Sequence, residues 1–548
     1  MSKWFNLGAP WIWLTGGAVS ISLLSVLGLL LLIGWKGLSY FWPAPLYQWT
    51  TNDGHTLVGQ LYNTDYVPIG HLKEMDISFP PEIQAQGVVK RLSVKIANRE
   101  LYSADFVHLL AINIASRTTP KDLAVVERTE NGDFYGKPVG IVNQDGSVSK
   151  NLSVQLAPDI TYVQTVRDEI HSIINRNIKQ YASKLENLQL DKKRKELEGK
   201  INNQYLAQYH QKRTVLLDKL NAADKKVDQL RAEVNQRYLL MQEMTGKQVK
   251  IPLGHVLDIW YPNRMTLLEK VSHWCQKVWV FLSENPREAN SEGGVFPAIF
   301  GTVLLVIIMS IIVMPLGVVA AIYLHEYAKN NWLTRIVRIA VINLAGVPSI
   351  VYGVFGLGFF VYTIGTSIDK LFYSEKLPVP TFGTPGLLWS ALTLAVLTLP
   401  VVIVATEEGL SRIPKSVRHG SLALGATQFE TLYRIILPMV TPAMLTGLIL
   451  AVARAAGEVA PLMLVGAVKL TSSLPIDGQF PYLHLDRKFM YLGFHIYDIG
   501  FQSTNIESAR PLVYATSFLL VTVIVGLNLT AISIRNNLRE KYRVLGQD

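Results

Sequence analysis

The 548-residue chain has a single cysteine, Cys275, so no disulfide can form within it. Charge is also scarce: 17% of residues are Asp, Glu, Lys or Arg and the mean hydropathy is +0.23, which excludes a chain that is water-soluble throughout. No G-x-x-x-x-G-K-[ST] loop occurs, and Gly136-Lys137-Pro138 lacks both the upstream glycine spacing and the hydroxyl residue, so the chain has no such device for hydrolysing ATP. His325-Glu326 opens like a zinc-protease helix, but Lys329 stands where the second histidine would be, and no metal pair forms. With no catalytic or metal-ligating residues identified and no cofactor expected, the chain does not read as an enzyme. The net charge of +10 does not point to nucleic acid, because residues 165–245 hold 16 Lys or Arg against 11 Asp or Glu, half of the excess, in a segment expected outside the cytoplasm.

What is abundant is long apolar sequence. Runs at 11–35, 296–323, 337–365, 387–406, 441–469 and 512–534 each suffice for a hydrocarbon core that needs roughly 20 helical residues. The first run is longer than a signal-peptide core and reads as a retained anchor, flanked by Trp11, Trp13, Trp35 and Trp42 as an aromatic belt. Lys329, Arg335 and Arg338, then Arg412, Lys415, Arg418 and Arg434, then Arg535, Arg539, Lys541 and Arg543 place alternate connections, and both termini, in the cytoplasm. The expected fold is an all-α polytopic membrane protein of six transmembrane helices: an anchor at 1–35, an extracytoplasmic insert at 36–294 and a helical core at 295–540.

The insert changes period along its length. Residues 46–160 read as β-rich, with runs at Thr56 to Tyr62, Val88 to Ile96, Phe106 to Ile114, Leu123 to Arg128 and Val139 to Val142 separated by turns such as Asn131-Gly132-Asp133. From 165 to 245 heptad spacing, including Leu220, Val227, Val234 and Met241, predicts a coiled coil, folded as a hairpin about Gly199 so that both ends return to the membrane. Whether that coiled coil closes within the chain or between chains is open. Lys247 to Tyr261 reads as a strand rejoining the β-rich part. Residues 264–283, with Leu268, Val271, Trp274, Trp279 and Phe281 among charges, predict an amphipathic helix at the membrane surface.

Two segments carry the functional argument. In AVARAAGEVAPLML, Arg454 and Glu458 are expected at the middle of the fifth span, where an ion costs roughly 2.5 to 3.5 kcal/mol and so belongs in a protein interior or water-filled path. Pro461 cannot donate to the carbonyl of Gly457, which predicts a kink beside Glu458. Arg454 could bind the oxygens of a protonated oxyanion while Glu458 accepts its proton, a chemistry that sulfate cannot satisfy. An ion pair that only locks packing is the bland alternative. The second segment, His419 to Pro438, is a polar loop in which Gly425 precedes Ile435 by ten residues, with Leu422, Leu424, Phe429, Leu432 and Ile435 as one stripe, expected as a short helix docking in a partner's groove.

That loop resembles the coupling loop of ABC importer permeases, although His419, Gly420 and Ser421 stand where the family has Glu-Ala-Ala. Together with Gly346-Val347-Pro348-Ser349-Ile350-Val351-Tyr352-Gly353 and Arg454-Ala455-Ala456-Gly457-Glu458-Val459-Ala460-Pro461, it resembles the PstA family, permease subunits of bacterial phosphate ABC importers, in the form that carries an extra extracytoplasmic domain. The resemblance implies an ABC permease core and inward transport of inorganic phosphate across the inner membrane. Its implied partners are a second, PstC-like permease, a PstB-like ATPase dimer that uses ATP and Mg, and a periplasmic PstS-like phosphate-binding protein; the chain itself would contact lipid. It implies Arg454, Glu458, Gly457, Pro461 and Ser349 along the substrate pathway, and His419, Gly420, Ser421, Leu424, Gly425, Phe429, Ile435 and Pro438 at the ATPase; Ser349 serves equally as a helix-packing serine. A permease for phosphonate or molybdate, or a membrane-anchored envelope scaffold or sensor, are the rival readings.

Overall fold

The computed structural model describes residues 9–70, 81–102, 104–287, 290, 292–329, 331–503 and 506–544. The chain divides into two compact units, one of residues 1–40, 283–286 and 295–548, the other of residues 41–282 and 287–294.

Among the described residues, the first unit contains six helices long and apolar enough to cross a membrane: Trp11–Ser39, Phe296–Tyr327, Ser349–Phe372, Leu387–Ser411, Gln428–Gly457 and Ala509–Leu538. Leu387–Ser411 is the central one, with two thirds of its apolar window buried against the other helices. Small residues let it be approached closely. A Cβ on Gly317 would stand 2.6 Å from Val402, one on Gly447 2.7 Å from Ala405, and one on Gly409 2.6 Å from Ala443, so at these crossings a glycine backbone packs directly on the side chain of its neighbour. Five buried threonine hydroxyls are satisfied along their own helices: Thr302, Thr393, Thr398, Thr406 and Thr516 each donate to the carbonyl four residues back. Leu305, Met309, Leu394, Ala451, Ala455 and Tyr491 form the largest buried cluster.

Two spans differ from their apolar runs. The run 337–365 is not one helix: Trp332–Leu344 stops before Gly346 and Pro348, and a new helix starts at Ser349. Pro348 disfavours helical backbone in the residue before it and suits the start of the next helix, which divides an apolar stretch that hydropathy reads as continuous. The expected span at 441–469 is likewise displaced towards the N-terminus, to Gln428–Gly457.

The second unit is built on two antiparallel sheets. β1 (Leu46–Thr51), β2 (Thr56–Pro68), β3 (Val88–Lys95), β4 (Phe106–Leu110) and β5 (Ile114–Thr118) form the first, in the order β4-β3-β2-β1-β5. β6 (Ala124–Arg128), β7 (Phe134–Val142), β8 (Val148–Ser149), β9 (Tyr238–Gln242), β10 (Gln248–Pro252) and β11 (Val256–Trp260) form the second, in the order β10-β9-β7-β6-β11 with β8 on β7. Leu46 and Val58 of the first sheet pack with Val125 and Tyr135 of the second.

Between β8 and β9 the chain makes a helical hairpin. One arm is Leu152–Ile173, a widened turn at Ile174–Ile178, and Lys179–Leu197; the other is Asn203–Val234. The reversal contains Gly199 at φ +66°, a conformation that glycine adopts without steric cost. Val166, Ile170 and Ile173 pack against Ala223 and Val227. The heptad reading overran at its end: Met241 lies in β9, fully buried with Phe134 and Ile141, because Thr245-Gly246, with Gly246 at φ +90°, turns β9 back into β10. The start shifts too, since Leu152 already begins a helix inside the stretch read as β-rich. Lys247 to Tyr261 forms two strands, β10 and β11, separated by a tight turn at Leu253–His255.

Candidate functional site

Pro442 begins its helix-interior positions without breaking the fifth span, but Pro461 coincides with a true interruption. The helix Leu437–Gly457 ends, Glu458 adopts extended backbone at φ −81°, ψ 123°, and a short helix resumes over Ala460–Val465. Two expectations are corrected here. The backbone stops rather than kinks, and Arg454 lies in the last turn of its helix rather than mid-span. Glu458 is outside that helix, yet the two side chains still meet, Arg454 Nε to Glu458 Oε1 at 3.6 Å, 31% and 20% exposed. Gly457 has open space where a side chain would begin, so the pair borders room rather than packed core.

At this interruption the Ala455 carbonyl accepts from the Glu458 N–H, three residues on rather than four, at 3.2 Å. Tyr491, itself fully buried, donates its hydroxyl towards this carbonyl and that of Ala456, at 2.5 Å to Ala456 O and 3.1 Å to Ala455 O. Nothing in the local sequence announces this role; Tyr491 is 33 residues beyond Glu458 and meets it only through the fold. The Ser349–Phe355 helix lies against Ala460–Val465, where a Cβ on Gly353 would approach Pro461 Cα to 2.7 Å. Ser349, Gly457, Pro461, Arg454 and Glu458 are thus carried by neighbouring pieces of two broken helices, with Ser349 half-buried at the first residue of its own. Broken helices at membrane depth are tolerated where the freed backbone is buried in protein or lines a path.

Residues 415–431 form two helices, Lys415–Ala423 in the loop after the fourth span and Gln428–Thr431 at the start of the fifth, not the single helix expected. Gly425 causes the break. It sits at φ +88°, its N–H donates to Leu422 O, and the Ala426 N–H donates to Ser421 O, which closes the first helix as a Schellman turn. Thr427 and Glu430 then form a reciprocal cap that starts the second helix. Buried Ser421 meets Thr431 hydroxyl to hydroxyl at 2.8 Å across the bend. The expected stripe is therefore split: Leu424 is 91% exposed and Phe429 67% exposed, while Leu432, Ile435 and Pro438 are half-buried. Tyr433, which the sequence reading passed over, stacks on Phe429 and is also exposed. His419 and Gly420 are exposed at the surface of the first helix. Arg418 Nη2 fastens this knuckle to the bundle by donating to Glu326 Oε1 at 2.8 Å and to Leu410 O at 3.0 Å.

Residues 313–544 match the family described as binding-protein-dependent transport system inner membrane component. The chain is 34% identical to the probable ABC transporter permease protein YqgH of Bacillus subtilis over 36% of this chain and 60% of that one. It is 33% identical to the phosphate transport system permease protein PstA 1 of Mycobacterium tuberculosis over 44% of this chain and 71% of that one. Against the phosphate transport system permease protein PstA of Yersinia pestis it is 31% identical over 46% of this chain and 76% of that one. By these matches the chain belongs to the PstA family of ABC-importer permeases.

Proposed function

We propose that this chain is the permease subunit of an ATP-driven importer of inorganic phosphate in a bacterial inner membrane, and that Arg454 and Glu458 contact the anion on its way through. The observation that carries the reading is the Arg454–Glu458 pair at the interruption of the fifth span, partly exposed and beside open space at Gly457. Phosphate at neutral pH offers both oxyanion oxygens and an acidic hydroxyl. A guanidinium binds the oxygens through two parallel N–H donors, and a carboxylate accepts the hydroxyl proton. Sulfate has no proton for Glu458 and is repelled by it, as a site built to accept a hydrogen bond rejects a ligand that lacks the donor.

ATP is hydrolysed by a partner in this reading. A PstB-like ATPase dimer grips the 415–436 knuckle, with Leu424 and Phe429 as apolar anchors, and a PstC-like permease and a PstS-like phosphate-binding protein complete the importer. Nucleotide-driven closure of the ATPase shifts the permease between two states through this rigid contact. Both termini face the cytoplasm and residues 41–282 lie in the periplasm, as the placement of Lys and Arg supports. The test is phosphate uptake by the purified complex in proteoliposomes, with sulfate, molybdate and a phosphonate as competitors. ATP-dependent uptake, competed by protonated oxyanions and not by sulfate, is expected; an ATPase-coupled complex that ignores phosphate overturns the substrate, and a chain that moves no anion points to the scaffold reading.

A further inference from the structure

We propose that the outward face of the Leu267–Ser283 helix is a membrane-interface contact, with Leu268, Val271, Cys275 and Trp279 lying among the lipid headgroups. At 100° per residue these four side chains fall within one arc of about 80°. Leu268 is 82% exposed, Trp279 68% and Val271 45%, and Cys275 is exposed at the middle of the stripe. The opposite arc carries His273, Lys277 and Phe281, and it is this side that is buried.

The arrangement is inverted relative to a helix on a water-soluble body, which turns its apolar face in and its charges out. Here charge faces inward. Lys277 Nζ reaches Glu127 Oε2 at 2.5 Å and Asp258 Oδ2 at 2.7 Å, Arg287 reaches the other Glu127 oxygen at 2.5 Å, and Lys277 also stands over the Trp260 ring. These contacts fix the rotation of the helix and hold its apolar stripe outward. An amphipathic helix with exposed Trp and Leu on one side suits the headgroup layer of a bilayer.

Chain continuity identifies the bilayer as the occupant. Phe281 packs its ring 5.0 Å from Phe41, two residues after the first membrane helix ends at Ser39. Glu284, the residue after the helix, accepts at its carbonyl from the N–H of Phe296, the first residue of the second span, at 3.1 Å. Along the chain, the helix thus ends thirteen residues before the second span begins at Phe296. Trp35, Tyr40 and Trp42, exposed around the end of the first span, form an aromatic belt of the kind found at headgroup depth. This inference does not depend on which anion is transported.

Cys275 is the only cysteine of the chain and serves as its own reporter. A nitroxide label on Cys275 of the full-length protein, one copy per lipid nanodisc, is read by collision with oxygen, which concentrates in lipid, and with a neutral nickel chelate, which stays in water. Oxygen collisions several-fold above nickel collisions are expected. A label at Leu197→Cys in a Cys275→Ser background, on the exposed reversal of the hairpin, supplies the water reference. Leu268→Glu with Trp279→Glu shifts the Cys275 signal towards that reference. A Cys275 label as open to nickel as the Leu197→Cys label overturns the proposal, and so does one shielded from both reagents, which means that protein covers the face.

Discussion

Arg454 bears the most specific prediction at the scale of single residues. Arg454→Ala removes the guanidinium but leaves an apolar helix end, so membrane insertion is retained and phosphate uptake is lost, by at least a hundredfold; uptake in cells without another phosphate importer, alongside the amount of protein in the membrane, checks it. Wild-type uptake by this variant makes the 3.6 Å pair with Glu458 a packing contact only. Tyr491→Phe tests the scaffold of the same site. It keeps the ring and deletes the hydroxyl that donates to the Ala456 carbonyl and shares the Ala455 carbonyl with the Glu458 N–H, at a cost of about 1–3 kcal/mol for a buried acceptor that loses its donor. If Tyr491 positions Arg454, KM for phosphate rises in a variant that is present at normal levels; an unchanged KM with less protein makes it structural. At the knuckle, Leu424→Glu alters a side chain that is 91% exposed, so stability is unchanged while copurification of the ATPase falls. Gly425→Ala instead meets open space and fails through its backbone, about 1–2 kcal/mol for an L-residue forced to φ +88°.

At the scale of elements, the Leu267–Ser283 helix is held by buried charge, and its stability follows pH accordingly. Burial pushes the Glu127 carboxyl up, but Lys277 and Arg287 outweigh it and hold Glu127 below its ordinary 4.5. Burial pushes Lys277 down, but Glu127 and Asp258 outweigh it and hold the ammonium above its ordinary 10.5. His273, one turn away, is pushed down by burial and by the Lys277 charge. A depressed carboxylate stabilises above its unfolded value and loses that contribution as pH falls; a raised ammonium stabilises below its unfolded value and loses it as pH rises. The contact is therefore strongest between about pH 5 and 10. Lys277→Ala leaves Glu127 and Asp258 short of a cation and costs about 3 kcal/mol. Hydrogen exchange at the amides of 267–283, followed through an acid titration, is expected to speed up below pH 4.5 in the wild type and already at neutral pH in the variant.

For the whole molecule, the outer part of the helical hairpin is separable from the rest. Lys179–Lys219 joins neither the buried Val166, Ile170, Ile173, Ala223 and Val227 cluster nor the sheet that contains Met241. Replacing it by a short glycine-rich turn after Ile178 keeps those contacts, supplies the reversal that Gly199 makes now, and removes none of the six membrane helices. Uptake at saturating phosphate is expected to persist, with any loss confined to limiting phosphate. Loss at both concentrations, with normal protein in the membrane, makes the outer hairpin part of the transport cycle.

Composition and periodicity by themselves determined that the chain crosses the membrane six times, because twenty apolar residues in a row have few other destinations. They also located the β-rich stretch, the hairpin reversal at Gly199 and the Arg454, Glu458 and Gly425 motifs, since turns, caps and intramembrane charges are local signals. Helix ends were less legible. Pro348 and Pro461 were visible, but whether a proline kinks a helix or ends it depends on what satisfies the freed carbonyls: here Tyr491 serves Ala456, and Tyr491 with the Glu458 N–H serves Ala455. Met241 matched a heptad yet became a strand, because β7 offered its backbone a ladder and Phe134 a core. The inward charge of Lys277 could not be read either: an amphipathic pattern shows two faces, and only the tertiary structure, by placing Glu127, Asp258 and Arg287 around one of them, decided which face was left exposed.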